Sequence, residues 1–484
     1  MLSIVALAAT TGTLYAQSYT PDALRFSQTN FGSTSRFKAM GGAQIGVGGD
    51  MSSLGANPAG LGLFTKSEFS LTPEFNNMVG NASYLNRQTE STKDRLNLNH
   101  LGVVFYSPSY RMRGQDTQKG VVSTVFGIGY NRNNDFGAEF NYEGTNPTNS
   151  GADYFSELAN SFGVERAGLA QMAYEGFIID EDADGFFATT EVNNQQAKNE
   201  VRSGSTSELT ASAALNISNQ VYVGASIGLV NVRYLNDSEF VESGLTTANA
   251  PYSFSLRQSQ ESTGSGYNAR LGVIFRAADN LRIGATLQSP TWLFIQDNTT
   301  MVLDSRIASG QDAGTYTNQP VNYIFNYRLR TPLKGALGAS YVVGGKALIS
   351  ADIDFVDYSS IRFDTDQGIE PETIMEENDI VRKSYKSAVN YRIGAEYKVN
   401  SLFSLRGGYG LNGSAIKGDT DYFSSNYYTG GLGYRVNNYY LDLAFQRVET
   451  NTDLAPYELA DFSEPVANIK TARNNVFLTF GVRF

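Results

Sequence analysis

Residues 476–484 read VFLTFGVRF, and residues 439–446 read YYLDLAFQ. In an extended chain, successive side chains point to opposite faces. Val476, Leu478, Phe480, Val482 and Phe484 therefore share one side, and Phe477, Thr479, Gly481 and Arg483 the other. Likewise Tyr439, Leu441, Leu443 and Phe445 oppose Tyr440, Asp442, Ala444 and Gln446. Leu281, Ile283, Ala285 and Leu287 oppose Arg282, Gly284, Thr286 and Gln288, and Ile349 to Phe355 and Tyr391 to Tyr397 alternate in the same way. The period is two, not 3.6. A soluble sandwich would cover such an apolar face with a second sheet. Here strand after strand repeats it, with Tyr and Phe near the ends, which is the pattern of a membrane barrel that is apolar outside and polar inside.

The connections set the topology. The pattern predicts about fourteen strands, near 67–79, 98–109, 120–134, 206–217, 220–235, 262–277, 280–296, 321–343, 346–362, 385–398, 402–413, 426–436, 438–450 and 472–484. Turn chemistry makes five connections short: Ser218-Asn219, Ala278-Asp279, Gly344-Gly345, Asn400-Ser401 and Asn437. Between them lie long ones at 135–205, 236–261, 297–320, 363–384, 414–425 and 451–471. Short turns at one end and long loops at the other belong to a bacterial outer-membrane barrel. Closure also removes every unpaired backbone edge from lipid. The expected class is all-β, a transmembrane antiparallel barrel.

Composition removes other classes. The 484 residues include no Cys and a single His, His100, which excludes thiolate metal sites, multi-histidine zinc and a cysteine nucleophile. No acid–base constellation suggests an enzyme. A net charge of -11 argues against a nucleic-acid partner. Residues 1–16 read as a signal peptide, apolar and small-residue rich up to Ala16. No later apolar run reaches the roughly 18 residues of a helical span. The division expected is thus signal 1–16, a segment 17–66 before the first strand, and a barrel over 67–484.

Segment 17–66 contains SRFKAMGGAQIGVGGDMSSLGANPAGL at 35–61. Its glycines suit backbone threaded through a crowded lumen, and no Walker lysine follows. Through Ala39, Gly41, Gly42, Ala43, Asp50, Ser53, Asn57, Pro58, Ala59 and Leu61 the sequence resembles the FadL/TodX family of outer-membrane hydrophobic-compound channels, in its Bacteroidetes-like form. The resemblance implies that 17–66 is a plug inside a fourteen-stranded barrel, with Gly41, Gly42 and Asn57-Pro58-Ala59 at the constriction. It implies passive uptake of long-chain fatty acids or other hydrophobic molecules, from an outer-loop site to the lumen and then sideways through the wall at a kinked strand. Lipopolysaccharide and outer-membrane lipid would surround the barrel. Phe484 would be read by the barrel-assembly machinery.

Arg270, Arg276, Arg282, Arg392 and Arg406 are the cations expected to meet a ligand carboxylate. Lumenal Arg also pairs with carboxylates, and Asp352, Asp354, Glu396 and Asp442 are available. Within the loop at 135–205, residues 152–178 have helical spacing of Phe155, Leu158, Ala159, Phe162 and Leu169. Next come Asp180, Asp182, Asp184, Gly185 and Glu191, which match the spacing of a calcium loop. Ala188 in the ninth position and the lack of an exit helix favour a solvated acidic loop instead. No cofactor is otherwise required. Two alternatives stay open: a haem receptor, which needs an axial ligand such as His100 or a Tyr, and an adhesin acting through the loops.

Overall fold

The computed structural model describes residues 19–30, 32–110, 116, 118–165, 168–365, 371–418 and 424–484. The expected signal segment lies outside the described residues. Fourteen antiparallel strands form one closed barrel. They are β1 (Glu68–Tyr84), β2 (Arg87–Pro108), β3 (Val121–Asp135, continued by Ala138–Asn146), β4 (Asn194–Ile217), β5 (Val221–Leu245), β6 (Pro251–Ala278) and β7 (Leu281–Gln288, continued by Trp292–Ile307). The second half comprises β8 (Val321–Arg330 and Lys334–Val343), β9 (Ala347–Asp357 and Arg362–Thr365), β10 (Ser387–Lys398), β11 (Phe403–Asn412), β12 (Ser425–Val436), β13 (Tyr439–Leu454) and β14 (Ala467–Arg483). β14 pairs with β1 from Glu68↔Arg483 to Ser83↔Asn468, and the Phe484 N–H donates to Ser67 O at 2.9 Å. Among the described residues no helix is long and apolar enough to cross a membrane.

Alternation explains both faces. Leu441, Leu443, Phe445, Leu478 and Phe480 are exposed on the outside, whereas Tyr440, Asp442, Ala444, Phe477 and Thr479 are buried inside. Tyr267 and Trp292 stack at 5.4 Å where the outward apolar residues of β6 and β7 give way to polar ones. This is the aromatic girdle of a barrel wall. The turns Ser218-Asn219 and Gly344-Gly345 take positive φ, as tight hairpins require.

The strands run further outward than the alternation suggested. Connection 236–261 shrinks to 246–250, and 135–205 loses ends to β3 and β4. Residues 80–97, given no strand above, complete β1 and β2 around a turn at Leu85-Asn86. Beyond the lipid the outward face of a strand turns polar while Ala82, Tyr84, Phe240 and Phe254 stay buried on the inner one, so the outward apolar row stops although the ladder continues.

Segment 19–66 fills the lumen. It contains α1 (Thr20–Ser27), α2 (Ser35–Ala39) and two 3-10 turns, Met51–Leu54 and Pro58–Leu63. Nearly all of its described side chains are buried. The long outer loop folds as α3 (Gly151–Phe162) and α4 (Leu169–Glu175), as the spacing predicted. Phe155, Ala159 and Leu169 pack with Phe240, Phe254 and Leu303 on the strand ends, while Phe162 stays exposed. A second outer helix, α5 (Pro371–Ser384), links β9 and β10.

Candidate functional site

The largest apolar cluster lies in the lumen, where α1 supplies Tyr19, Ala23, Leu24 and Phe26. The barrel supplies Phe136, Val230, Val232, Tyr234, Leu293, Ile295, Phe325, Tyr327, Leu329 and Phe363, and α5 adds Ile374 and Val381. Tyr19 lies flat on Phe325, Phe26 meets Phe136 and Tyr234 edge-on, and Arg25 sits 4.1 Å above Tyr234. Polar clamps hold the backbone of α1. Tyr385 OH donates to Thr20 O at 2.8 Å, Thr20 Oγ1 to Glu377 Oε2 at 2.6 Å, and Lys334 Nζ to Ser27 O at 2.8 Å. Burial raises the Glu377 carboxyl above the usual carboxylate range. The lumen thus offers an apolar, aromatic-lined chamber, and a short helix of the same chain occupies it.

Beside that chamber the wall is broken. β2 and β3 are hydrogen-bonded only from His100↔Asn131 to Pro108↔Ser123. The outer half of β2 pairs with β1 alone, and the outer half of β3 with β4 alone. The strand bends at Phe136-Gly137, after a register shift between Arg132 and Asn134. Phe140 and Tyr142 then pack on Met78, Ala82, Tyr84 and Ile469, the inner face of β1 and β14. Side chains alone span the gap: Ser91 Oγ donates to Glu139 O at 2.5 Å, Thr89 Oγ1 donates to Asn141 O, and Asn97 Nδ2 donates to Asp135 Oδ2 at 2.9 Å. The plug touches the bend, because Asn30 N–H donates to Asn133 O at 2.8 Å.

Asn57, Pro58 and Ala59 open the second 3-10 turn rather than an isolated bend. Asn57 Oδ1 caps it by accepting from Ala59 N, and Asn57 Nδ2 donates to Ile45 O at 2.8 Å. The motif presses on the wall so closely that a Cβ at Gly272 would lie 1.9 Å from Asn57 Oδ1. Gly41 and Gly42 both have positive φ, and a Cβ on Gly41 would meet Ile393 O at 2.9 Å. Both therefore serve plug–wall contact.

The fold has known relatives. The family model described as outer membrane protein transport protein (OMPP1/FadL/TodX) matches residues 188–471, more than half of the chain. The chain belongs to that family. The Pseudomonas putida toluene transporter TodX superposes with a TM-score of 0.57 at 14% identity, covering 94% of this chain and 99% of its own. A Pseudomonas aeruginosa FadL homologue gives 0.55 at 12% identity and the Ralstonia pickettii toluene transporter TbuX 0.51 at 16%, each covering 94% of this chain and 98% of that one. No curated protein matches in sequence. Like the family, the chain is an outer-membrane transport protein.

The five arginines expected to meet a ligand are mostly engaged by the protein. Arg270, 2% exposed, forms a fork with Glu208 at 2.5 and 2.8 Å. Arg392 pairs with Asp354 and donates to Tyr427 OH at 2.9 Å. Arg406 bridges Glu396 and Asp442, both at 2.7 Å, and Glu396 also accepts from Arg36 of the plug. Arg282 donates to Val47 O, and Arg276 reaches Asp279 in a turn. Asp352 accepts from the N–H groups of Gln44 and Ile45. These charges anchor the plug and brace the wall.

The acidic string folds as a hairpin, Ile179–Asp182 against Gly185–Ala188. Asp180 opposes Phe187, Asp184 sits in the turn, and Glu191 lies beyond the second strand. Asp180, Asp182, Asp184 and Glu191 are therefore not gathered into one ligand set, and no cluster of three or more metal-ligating side chains occurs among the described residues. His100 is fully buried, with Nε2 at 3.0 Å from Ser70 Oγ and Nδ1 at 2.7 Å from the Asn131 side chain. Both ring nitrogens are engaged, which leaves neither for haem iron. Sequence reasoning missed the group around Asp135, which includes Lys93, Arg95, Arg132 and Arg473, because it lies where strands were not foreseen or a bend breaks the alternation.

Proposed function

We propose that the chain is a passive uptake channel for hydrophobic small molecules, long-chain fatty acids or aromatic hydrocarbons. Molecules enter from the α3/α4 loop, replace the side chains of α1 in the lumen, and leave sideways between β2 and β3. One observation carries this reading: an apolar chamber, filled by the chain's own aromatic side chains, adjoins a stretch of wall where the outer halves of β2 and β3 lack a ladder. Exposing that much apolar surface without an occupant would be costly, so the helix holds the chamber closed until a ligand takes its place. The toluene transporters TodX and TbuX, with which the fold is shared, agree with an aromatic-lined chamber. No cofactor or energy source enters the scheme.

Uptake of a labelled fatty acid and of toluene by cells expressing the protein tests it. Both should enter several-fold faster than in cells carrying an empty vector. Equal rates with a correctly folded, surface-exposed barrel would refute the channel.

A further inference from the structure

The short turns of the barrel differ in charge around its rim. Near the turns that follow β2 and β6 a cation has an acid beside it: Lys119 Nζ lies 3.8 Å from Asp116, and Arg276 Nη2 3.2 Å from Asp279. Across β8–β13 the pattern changes. The sequences there are YVVGGK at 341–346, YKVNSLF at 397–403 and YRVNNYYL at 434–441, which carry Lys346, Lys398 and Arg435 and no Asp or Glu. These cations are exposed, and none has an ion-pair partner among the described residues.

The turns are neighbours. Lys398 N–H donates to Lys346 O and Arg435 N–H to Leu402 O, both at 2.8 Å, so they form one arc of the rim. Lys66, bonded to Asn438 Oδ1, and Arg483, paired with Glu68, carry the arc across the seam of the barrel. Strand parity sets where the charges point. Lys346, Lys398 and Arg435 have the parity of Ser350, Glu396 and Gly433, which face the lumen. Arg435 lies 5.5 Å above the ring of Tyr440, itself buried inside. Val343, Tyr397, Phe403, Tyr434 and Tyr439 have the opposite parity and are exposed to lipid. The cations therefore surround the mouth of the barrel, while the aromatic residues of the same strand ends grip the membrane.

We propose that this arc binds an extended polycarboxylate, the peptidoglycan layer beneath the outer membrane, and so tethers the channel to the cell wall. Short turns mark the periplasmic end of such a barrel. A chain of net charge -11 repels a polyanion over most of its surface, which confines contact to the arc. Side chains aimed at the mouth rather than at lipid argue against a phospholipid headgroup. A folded protein partner would need an apolar core to its interface, and at the tips of these turns Val399 and Leu402 are the only large apolar residues exposed. Spaced ammonium and guanidinium groups meet the spaced carboxylates of a polymer through charge-assisted hydrogen bonds, with no pocket required. The tether leaves the plug and the chamber untouched.

Full-length protein in detergent, mixed with insoluble peptidoglycan sacculi and sedimented, tests the proposal. Wild type should sediment with the sacculi at low ionic strength and be released at about 1 M salt, where the screening length is about 3 Å. The triple variant Lys346→Gln/Lys398→Gln/Arg435→Gln should bind roughly fivefold less, while keeping the heat-modifiable gel shift of a folded barrel. Lys119→Gln removes a cation that Asp116 already offsets and should bind as wild type does. Lys346→Arg/Lys398→Arg keeps the charge and should bind equally well. Sacculi with amidated carboxyls should retain none of these proteins. Equal binding by wild type and the triple variant, or no binding by wild type at low salt, overturns the proposal. So does wild-type binding to anionic phospholipid vesicles, or to beads carrying an acidic protein, without binding to sacculi, because the arc would then serve another partner.

Discussion

The ring of Tyr19 lies 3.9 Å from that of Phe325, with 15° between their planes. A residue at the entrance to α1 thus stacks on the wall of the chamber as a planar ligand would. An aromatic pair of this kind contributes about 0.5–1.5 kcal/mol beyond its buried area. Tyr19→Ala should therefore shift α1 roughly 2- to 10-fold toward its undocked state. The check is binding of a neutral fluorescent hydrophobe to the purified protein, which should tighten by a similar factor.

Asn57 satisfies two backbone groups at once, Ala59 N–H and Ile45 O. Asn57→Ala leaves both buried and unpartnered, at a cost of about 1–3 kcal/mol for each such group. The plug should seat loosely while the barrel survives. Cells should then become sensitive to a bulky polar antibiotic that the outer membrane normally excludes, with the barrel still heat-modifiable on gels. Unchanged permeability would mean that the motif has no gating role.

Glu208 and Arg270 form a fully desolvated pair behind the bend, and Glu208 also accepts from Asn133 Nδ2 at 2.7 Å. Breaking one side of such a pair costs about 3–5 kcal/mol, whereas replacing both partners by apolar groups costs far less. Glu208→Gln should lower the temperature at which the barrel loses its compact gel mobility. The double variant Glu208→Met/Arg270→Met should recover most of the loss.

Phe484 is 61% exposed on the outer face, and its backbone N–H closes the barrel against Ser67. Its deletion removes one hydrogen bond, worth about 0.5–1.5 kcal/mol. If the terminal aromatic is also an assembly signal, outer-membrane abundance should fall much further than that loss explains. Quantitative blotting of membrane fractions decides it, and normal abundance would confine Phe484 to sealing the last strand.

The barrel was legible because lipid on one side and water or plug on the other impose a period of two, as in residues 476–484 and 439–446. The same rule hid what lies beyond the membrane. Strand ends such as Gly80 to Tyr84 and Arg87 to Asn97 hold their ladder with a polar outer face (Asn81 and Ser83 opposite the buried Ala82 and Tyr84), so the lipid-facing apolar alternation does not reveal them. The plug motif was legible through its glycines and Asn57, whose backbone demands are local. Arg270, Arg392 and Arg406 could be placed in the lumen by parity, but pairing with Glu208, Asp354 and Asp442 depends on register between strands. Asp180 to Glu191 had the spacing of a calcium loop, yet the segment folds as a hairpin around Ala183-Asp184, with Glu191 beyond its second strand, and does not gather those residues into one ligand set. The group around Asp135 depends on a bend at Phe136-Gly137 that no local pattern announces.

The central claim is that ligand leaves through the gap between β2 and β3. The chain lacks cysteine, so Ser91→Cys with Glu139→Cys introduces the only thiols, on strands joined there by the Ser91 Oγ bond to Glu139 O. A short, reducible bifunctional thiol reagent should pin the two strands, and uptake of a labelled fatty acid in cells should then be measured before and after reduction. The account predicts at least a tenfold fall on cross-linking and full recovery on reduction. Unchanged uptake with cross-linking complete would contradict it.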